Sequence, residues 1–178
     1  MNQGNKNIDD AATSFEKVSI RQATPEDYPR VIEVVDNWWG GRHMADMLPK
    51  LFFVHFRPTC FVAESRRMLQ GFLVGFVSQT FPDEAYIHFV GVHPDYRDQD
   101  LGRTLYDHFF ASVVKSGVGR VQCVTSPVNK GSIAFHLRMG FQMVPGDKVI
   151  DGIRIFSNYD GMGEDRVLFF RILGVDEK

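Results

Sequence analysis

The 178-residue chain has only two cysteines, Cys60 and Cys123, and they form no motif with each other. Both lie among apolar residues, which favours two reduced core thiols over a disulfide. No apolar run is long enough to cross a bilayer. The first ten residues are polar, unlike a secretory leader. We therefore expect a cytoplasmic protein without a membrane partner.

The chain also has no large excess of positive or negative charge. The formal net charge is −2, so nothing indicates a nucleic-acid partner. His43, His55, His93 and His108 have no metal-ligand spacing, and we expect no metal site. No strand pattern is followed by a Gly-x-Gly-x-x-Gly or Walker loop, which disfavours an α/β nucleotide-binding protein.

The remaining pattern predicts one domain. Residues 1–14 are polar and rich in small side chains, and we expect a disordered N-terminal arm there. Residues 15–178 are long enough to bury a single core. Period-2 and helical patterns alternate along this stretch, which predicts an α/β fold with a mixed sheet and helices on both faces. The predicted strands are 18–22, 59–65, 71–79, 85–93, 118–126, 140–144, 149–157 and 166–173, and the helices start at Thr24 or span 44–56, 101–116 and 132–139.

The stretch from Val90 to Arg103 is the most informative part of the chain. An apolar strand runs into a polar turn with two arginines, and the turn opens onto an amphipathic helix. A helix N-terminus offers unpaired N–H groups and the positive end of a dipole, so it suits phosphate oxygens. Arg97 and Arg103 add positive charge at the same place.

Two motifs together resemble the GNAT acyltransferase superfamily. Val92, Pro94, Arg97 and Gly102 match the coenzyme A pyrophosphate loop, Val-x-x-x-x-Arg-x-x-Gly-x-Gly, although Asp100 replaces its first glycine. About thirty residues later, the stretch from Asn129 to Phe141 is similar to the family's next helix, which closes here on Gly140 as a C-cap. The resemblance implies a mostly antiparallel central sheet and acetyl transfer from acetyl-CoA to a primary amine of a small molecule or peptide, by direct attack in a ternary complex. A non-catalytic acyl-CoA-binding module of the same fold is the alternative.

The resemblance also implies a coenzyme A site. Asn129 would bond the pantetheine amide, or it caps the following helix, a role that Ser132 could take instead. Asp100 would repel the pyrophosphate unless its carboxylate points away, so weakened affinity is expected. The residues assigned to this site are Val90, Val92, Arg97, Asp98, Gln99, Asp100, Leu101, Gly102, Arg103, Asn129 and Ser132.

The strand before the loop supplies the candidate general base. Two-residue alternation puts Tyr86, His88, Val90 and Val92 on one face. Histidine titrates near neutrality, which makes His88 the natural base, and related arylalkylamine acetyltransferases carry imidazoles on this strand. Glu84 acting through water is the alternative base, and a purely structural His88 stays open.

The candidate acid for the leaving thiolate is His136. The family has a tyrosine at this position, and an imidazole does the same work best when charged. Water could replace it in this step, and Tyr86 is a further candidate.

The residues that would line the acceptor-binding site are implied by the resemblance alone. Trp38, Trp39 and Arg42 would line one side and Tyr159, with the acidic stretch after it, the other. The tryptophans could equally be plain packing residues. A homodimer is left open.

Overall fold

The computed structural model describes residues 18–97 and 99–174, and the predicted arm at 1–14 lies outside them. The described strands are β1 (Ser19–Gln22), β2 (Cys60–Ser65), β3 (Met68–Val77), β4 (Glu84–Val92), β5 (Arg120–Thr125), β6 (Gln142–Met143), β7 (Lys148–Ile150), β8 (Ile153–Ile155) and β9 (Val167–Ile172). Seven of them form one sheet in the order β1-β2-β3-β4-β5-β9-β6, and β7 and β8 form a separate hairpin. Within the large sheet β4 and β5 run parallel and the other neighbours antiparallel, which confirms the mixed, mostly antiparallel sheet.

Helices cover both faces of the sheet, as predicted. They are α1 (Tyr28–Trp38), α2 (Leu51–His55), α3 (Leu101–Val114) and α4 (Lys130–Arg138). On the α1–α2 face, Val31 and Phe53 are buried in the cluster that contains Phe72 of β3. On the α3–α4 face, Leu105 and Phe109 are buried in a second cluster. No described helix is long and apolar enough to span a membrane.

A β-bulge interrupts β4 at His88. Val74 of β3 pairs with Phe89 of β4, but the next residue, Gly75, pairs with Ile87. His88 is therefore the extra residue, and it shifts the alternation of the strand.

The bulge makes the one-face prediction for β4 wrong. Tyr86 and His88 lie on the α1–α2 face, because their rings stack on Phe76 and Phe52. Val90 and Val92, beyond the bulge, pack instead against the α3–α4 cluster.

Two predicted elements are broken by local chemistry. The helix expected at 44–56 is a 3₁₀ turn at Ala45–Met47 followed by α2, because Pro49 disfavours helical backbone at Leu48. The strand expected at 149–157 is the β7–β8 hairpin. Its turn residues Asp151 and Gly152 both have positive φ, the signature of a type I′ turn.

Candidate functional site

The parallel pairing of β4 with β5 ends just before the bulge. Ile87 and Cys123 are the last pair in register. Beyond them the two strands have no ladder between them, so the β5-facing edge of β4 presents unpaired backbone groups. A bulge at such a point re-aims a side chain and exposes backbone donors, an arrangement common beside active sites.

The pyrophosphate loop predicted from the sequence lies at the end of β4. A 3₁₀ turn at Pro94–Tyr96 leads to Asp100, which has φ 56° in the left-handed region, and α3 begins at Leu101. Leu101, Gly102 and Arg103 supply the first N–H groups of this helix, whereas the N–H of Thr104 already bonds the Asp100 carbonyl at 2.9 Å.

Charged side chains around this loop are mostly turned outwards. The Asp100 side chain is 89% exposed and lies 4.0 Å from the guanidinium of Arg103, itself half exposed. The Asp100 carboxylate is thus directed to solvent, which lessens the expected repulsion of a phosphate. Gln99 donates to the Asp95 carbonyl at 3.2 Å, and Asp98 lies outside the described residues.

Arg97 is held by two backbone carbonyls. Its Nε donates to Val92 O at 3.2 Å and its Nη2 to Trp38 O at 2.5 Å. The first bond spans the loop and the second reaches the C-terminal end of α1. Arg97 therefore acts on the shape of the loop, and the helix N-terminus remains the main group for an anion.

His88 stands at the open end between β4 and β5 with its tautomer defined. Its Nε2 lies 2.7 Å from the Met47 carbonyl, which can only accept, so Nε2 carries the proton. The ring stacks on Phe52 with centroids 4.6 Å apart. Nδ1 makes no hydrogen bond with a described residue and keeps a lone pair, as a general base requires.

Glu84 lies at the opposite end of β4. Its carboxylate accepts from Gln122 Nε2 at 2.5 Å and pairs with Arg120 at 3.3 Å. Four residues along a strand separate it from His88 by about 13 Å. The structure therefore brings His88, and not Glu84, to the opening.

The model of the acetyltransferase (GNAT) family matches residues 18–141, more than half of the chain. The chain belongs to the GNAT acetyltransferase family.

A 65-residue segment is 34% identical to the ribosomal protein bS18-alanine N-acetyltransferase of Escherichia coli strain K12, covering 36% of this chain and 44% of that enzyme. The match thus spans less than half the length of this curated relative.

Two solved structures show the same fold. Ard1 from Thermoplasma volcanium superposes with a TM-score of 0.71 at 19% identity, covering 88% of this chain and 98% of the other. Diaminobutyrate acetyltransferase EctA from Paenibacillus lautus, bound to L-2,4-diaminobutyric acid and coenzyme A, gives 0.66 at 21% identity, covering 89% and 99%.

In this GNAT chain His136 is buried and neutral. Its Nδ1 lies 2.7 Å from the Ser132 carbonyl and must donate, so Nε2 accepts from the Tyr106 hydroxyl at 2.8 Å. Burial lowers the pKa of His136 from 6.5 to about 4, and the bond to Ser132 opposes this only in part. The charged form, in which an imidazole would serve best as the acid, is therefore absent at neutral pH, and both ring nitrogens are already hydrogen-bonded.

Tyr86 retains a proton that could be donated. Burial raises the pKa of its phenol well above the ordinary value, with smaller contributions from Tyr159, Cys123 and Asp160. Its ring stacks on Phe76 at 5.5 Å, on the same face of the sheet as His88.

Asn129 is the N-cap of α4, the second of the two roles considered for it. Its Oδ1 accepts from the Ser132 N–H at 3.2 Å. This bond uses the side-chain oxygen and leaves the amide N–H₂ group for another acceptor. Gly102 lies against the same helix, since a Cβ there would stand 3.3 Å from Phe135 of α4.

The two tryptophans are not equivalent. Trp38 is 6% exposed and stacks on Phe72 at 5.9 Å, so it is a packing residue of the core. Trp39 is half-buried against Phe89, with ring centroids 5.1 Å apart. Arg42 is exposed and bonds the Trp39 carbonyl at 3.1 Å.

Tyr159 is the residue predicted to line the opposite side of the acceptor site. Tyr159 is 48% exposed and packs edge-on against Phe156. Nearby, an open cleft of about 550 Å³ lies between the end of β5, the start of α4 and the acidic loop. Its charged lining residues are Lys130, Asp151, Glu164, Asp165 and Arg166.

Two parts of the site could not be predicted from the sequence. Tyr106 has the spacing of an ordinary core position in α3, and nothing in the sequence pairs it with His136. The Met47 carbonyl that orients His88 is a backbone group, which carries no residue signal. The nearest sequence signal was the pair of polar residues, Ser132 and His136, spaced four apart on a helix.

Proposed function

We propose that this protein transfers acetyl from acetyl-CoA to a primary amine by direct attack in a ternary complex. The observation that carries the proposal is the position of His88, with a free Nδ1, at the point where β4 and β5 part. The same strand leads directly into the helix N-terminus of α3, which suits a pyrophosphate. The candidate base His88 and the loop that would bind coenzyme A are thus separated only by the last residues of β4.

The acceptor amine must first lose a proton. His88 Nδ1 takes it, directly or through one water, while the bond from Nε2 to Met47 O supports the imidazolium that forms. The amine lone pair then attacks the thioester carbonyl carbon. Backbone N–H groups on the free edge of β4 stabilise the developing oxyanion.

Collapse of this intermediate breaks the C–S bond and releases the coenzyme A thiolate, while the attacking nitrogen gives its extra proton to solvent to leave the neutral amide. His136 is neutral and both its nitrogens are engaged, so it is a poor proton source. Solvent supplies the proton to the thiolate, or the Tyr86 phenol passes one on and is reprotonated by solvent, and His88 returns its own proton to solvent.

The relatives support a primary amine as acceptor. The Escherichia coli enzyme is named for an alanine of a ribosomal protein, and the Paenibacillus lautus structure holds L-2,4-diaminobutyric acid. We propose that Trp39 and Arg42 line one side of the acceptor site and Tyr159 the other.

The test is release of free thiol from acetyl-CoA with a panel of amines that includes 2,4-diaminobutyrate and an alanine-initiated peptide. On the best acceptor, His88→Ala should lower kcat by about 10²–10⁴, the usual contribution of a general base. It should also remove the acidic limb of the pH–rate profile while coenzyme A affinity stays near that of the wild type. His55→Ala, at an exposed position at the end of α2, is the matched control. An unchanged profile in His88→Ala would exclude His88 as the base.

A non-catalytic acyl-CoA-binding module is the second candidate, and the neutral, fully bonded His136 favours it. It predicts binding of acetyl-CoA without thiol release for every amine in the panel. Release above the hydrolysis background with any one amine rejects it.

A further inference from the structure

The α1–α2 segment, residues 39–47, forms most of the connection between α1 and α2. One of its ends is attached to the loop after β4 and the other end to β4 itself. At its start, Arg97 Nη2 donates to the carbonyl of Trp38, the last residue of α1, at 2.5 Å. At its end, His88 Nε2 donates to the carbonyl of Met47 at 2.7 Å. The proposed base and the loop arginine therefore hold opposite ends of one segment.

The bond from Arg97 is stronger than an ordinary contact. The guanidinium is always charged, and the Trp38 carbonyl belongs to the negative end of the α1 dipole, so the hydrogen bond is charge-assisted. The second bond, from Nε to Val92 O at 3.2 Å, fixes the guanidinium plane relative to β4. A shift of the loop backbone at Arg97 is thereby passed on to the end of α1.

Between its two ends, residues 40–43 are the least restrained part of the segment, whereas Trp39, Met44 and Ala45 pack against the core on the α1–α2 face. Gly40 and Gly41 have positive φ, and a Cβ at either would meet no described atom within 4 Å. Residues 40–43 are exposed. Asp36 of α1 restrains this part at two points: its carbonyl accepts from the Gly41 N–H at 2.8 Å, and its Oδ1 accepts from the N–H groups of Met44 and Ala45 at 2.7 and 2.9 Å. Few buried contacts and exposed backbone are the features of a part of a protein that opens at low free-energy cost.

We propose that the α1–α2 segment couples coenzyme A binding to the acceptor side, and that Arg97 is the positioning residue that transmits the coupling. An anion bound at residues 99–103 fixes the loop, the loop fixes Arg97, and Arg97 fixes the end of α1 and the segment after it. Trp39, Arg42 and the Met47 carbonyl that orients His88 are then ordered before the acceptor arrives. This inference rests on the proposed function, since it assumes that the loop binds coenzyme A.

The test is hydrogen–deuterium exchange of residues 39–47 with and without saturating coenzyme A, which needs no acceptor. In the wild type, coenzyme A should slow this exchange by about fivefold or more, the lower end of usual coupling between sites. Arg97→Gln and Arg97→Lys should still bind coenzyme A but lose the slowing, because each offers one donor nitrogen in place of the two nitrogens, Nε and Nη2, that bond the two carbonyls. Arg103→Gln is the matched control: it removes a charge from the same loop and should keep the slowing once coenzyme A is saturating.

Kinetics supply a second readout that a merely structural role would not move. With the best acceptor, Arg97→Lys should raise the acceptor KM more than the acetyl-CoA KM. Full slowing of exchange in both Arg97 variants overturns the proposal. Unchanged exchange in a wild type whose melting temperature rises with coenzyme A also overturns it, but leaves the proposed function standing. Failure of the wild type to bind coenzyme A at all overturns both.

Discussion

At the scale of single residues, burial decides what each imidazole can do. His88 is partly exposed, has one nitrogen bonded to a carbonyl and keeps the other free. His136 is 4% exposed, and its two ring nitrogens are hydrogen-bonded to the Ser132 carbonyl and the Tyr106 hydroxyl. The same residue type is therefore a candidate base on β4 and a structural group in α4.

The neutral His136 makes stability depend on pH. Its folded pKa is about 4 against 6.5 without burial, so between these values the unfolded chain binds a proton that the folded chain does not. The free energy of unfolding should thus fall as the pH falls from about 6.5 to 4, by on the order of 3 kcal/mol from this group. Urea unfolding across this range measures the effect.

The matched variant for this measurement is Tyr106→Phe/His136→Phe, which removes both polar partners together. Carboxylates titrate alike in both proteins, so the difference between the two curves isolates the imidazole. Parallel curves for wild type and double variant would show that His136 is not held neutral.

Asp100 should weaken coenzyme A binding for two reasons, and two variants can separate them. Its φ of 56° is strained for a residue with a Cβ, and its carboxylate, although directed to solvent, adds a negative charge beside the helix N-terminus where an anion would bind. Asp100→Asn removes only the charge, whereas Asp100→Gly also removes the strain. Both should tighten coenzyme A binding, by about two- to fivefold for the charge.

Isothermal titration at low and high salt checks this expectation. The charge effect should shrink at high salt because exposed charges are screened. Equal affinities of wild type and Asp100→Asn at low salt would mean that the exposed carboxylate has no influence on the bound anion.

At the scale of elements, the contact of Trp39 with β4 depends on a glycine. A Cβ at Gly91 would lie 2.8 Å from the Trp39 ring and 2.6 Å from Phe72. Gly91→Ala should therefore displace the indole and lower the free energy of unfolding by about 1–3 kcal/mol, the usual cost of overpacking. Denaturant unfolding and tryptophan fluorescence measure both effects.

Gly119→Ala is the control, since a Cβ there meets no described atom within 4 Å and the backbone is not left-handed. If both alanine variants unfold at the same denaturant concentration, Trp39 is not packed on β4 as described.

The elements differ in how far their sequence determines them. The loop and α3 were predictable because Asp100, Leu101 and the apolar spacing act locally. The bulge at His88 was not, because an extra residue in one strand exists only relative to its partner β3. The sequence Asp151-Gly152 is a local signal for the β7–β8 turn within the strand predicted at 149–157, and Pro49 is a local signal for the break in the helix predicted at 44–56.

At the scale of the whole molecule, the cofactor loop touches both cores. Arg97 reaches α1 on one face of the sheet, and Gly102 lies against Phe135, which packs on the core of the other. The motifs around Arg97 and Gly140 were enough to predict the family, because they are local in the chain. The acceptor walls come from distant segments, so only the tertiary structure separates core Trp38 from half-buried Trp39.

A ligand at this loop should therefore stabilise the entire fold and not one face alone. At a coenzyme A concentration of 100 times Kd, mass action adds about 2.7 kcal/mol to the free energy of unfolding. For a chain of this size that corresponds to a rise in melting temperature of about 5–11 °C. Differential scanning calorimetry should show a single transition that moves upwards with the logarithm of coenzyme A concentration.

ATP at the same concentrations is the control, because it offers phosphates without pantetheine. An equal shift with ATP would mean that the loop binds polyphosphates in general, and two separate transitions with coenzyme A would mean that the two cores unfold independently.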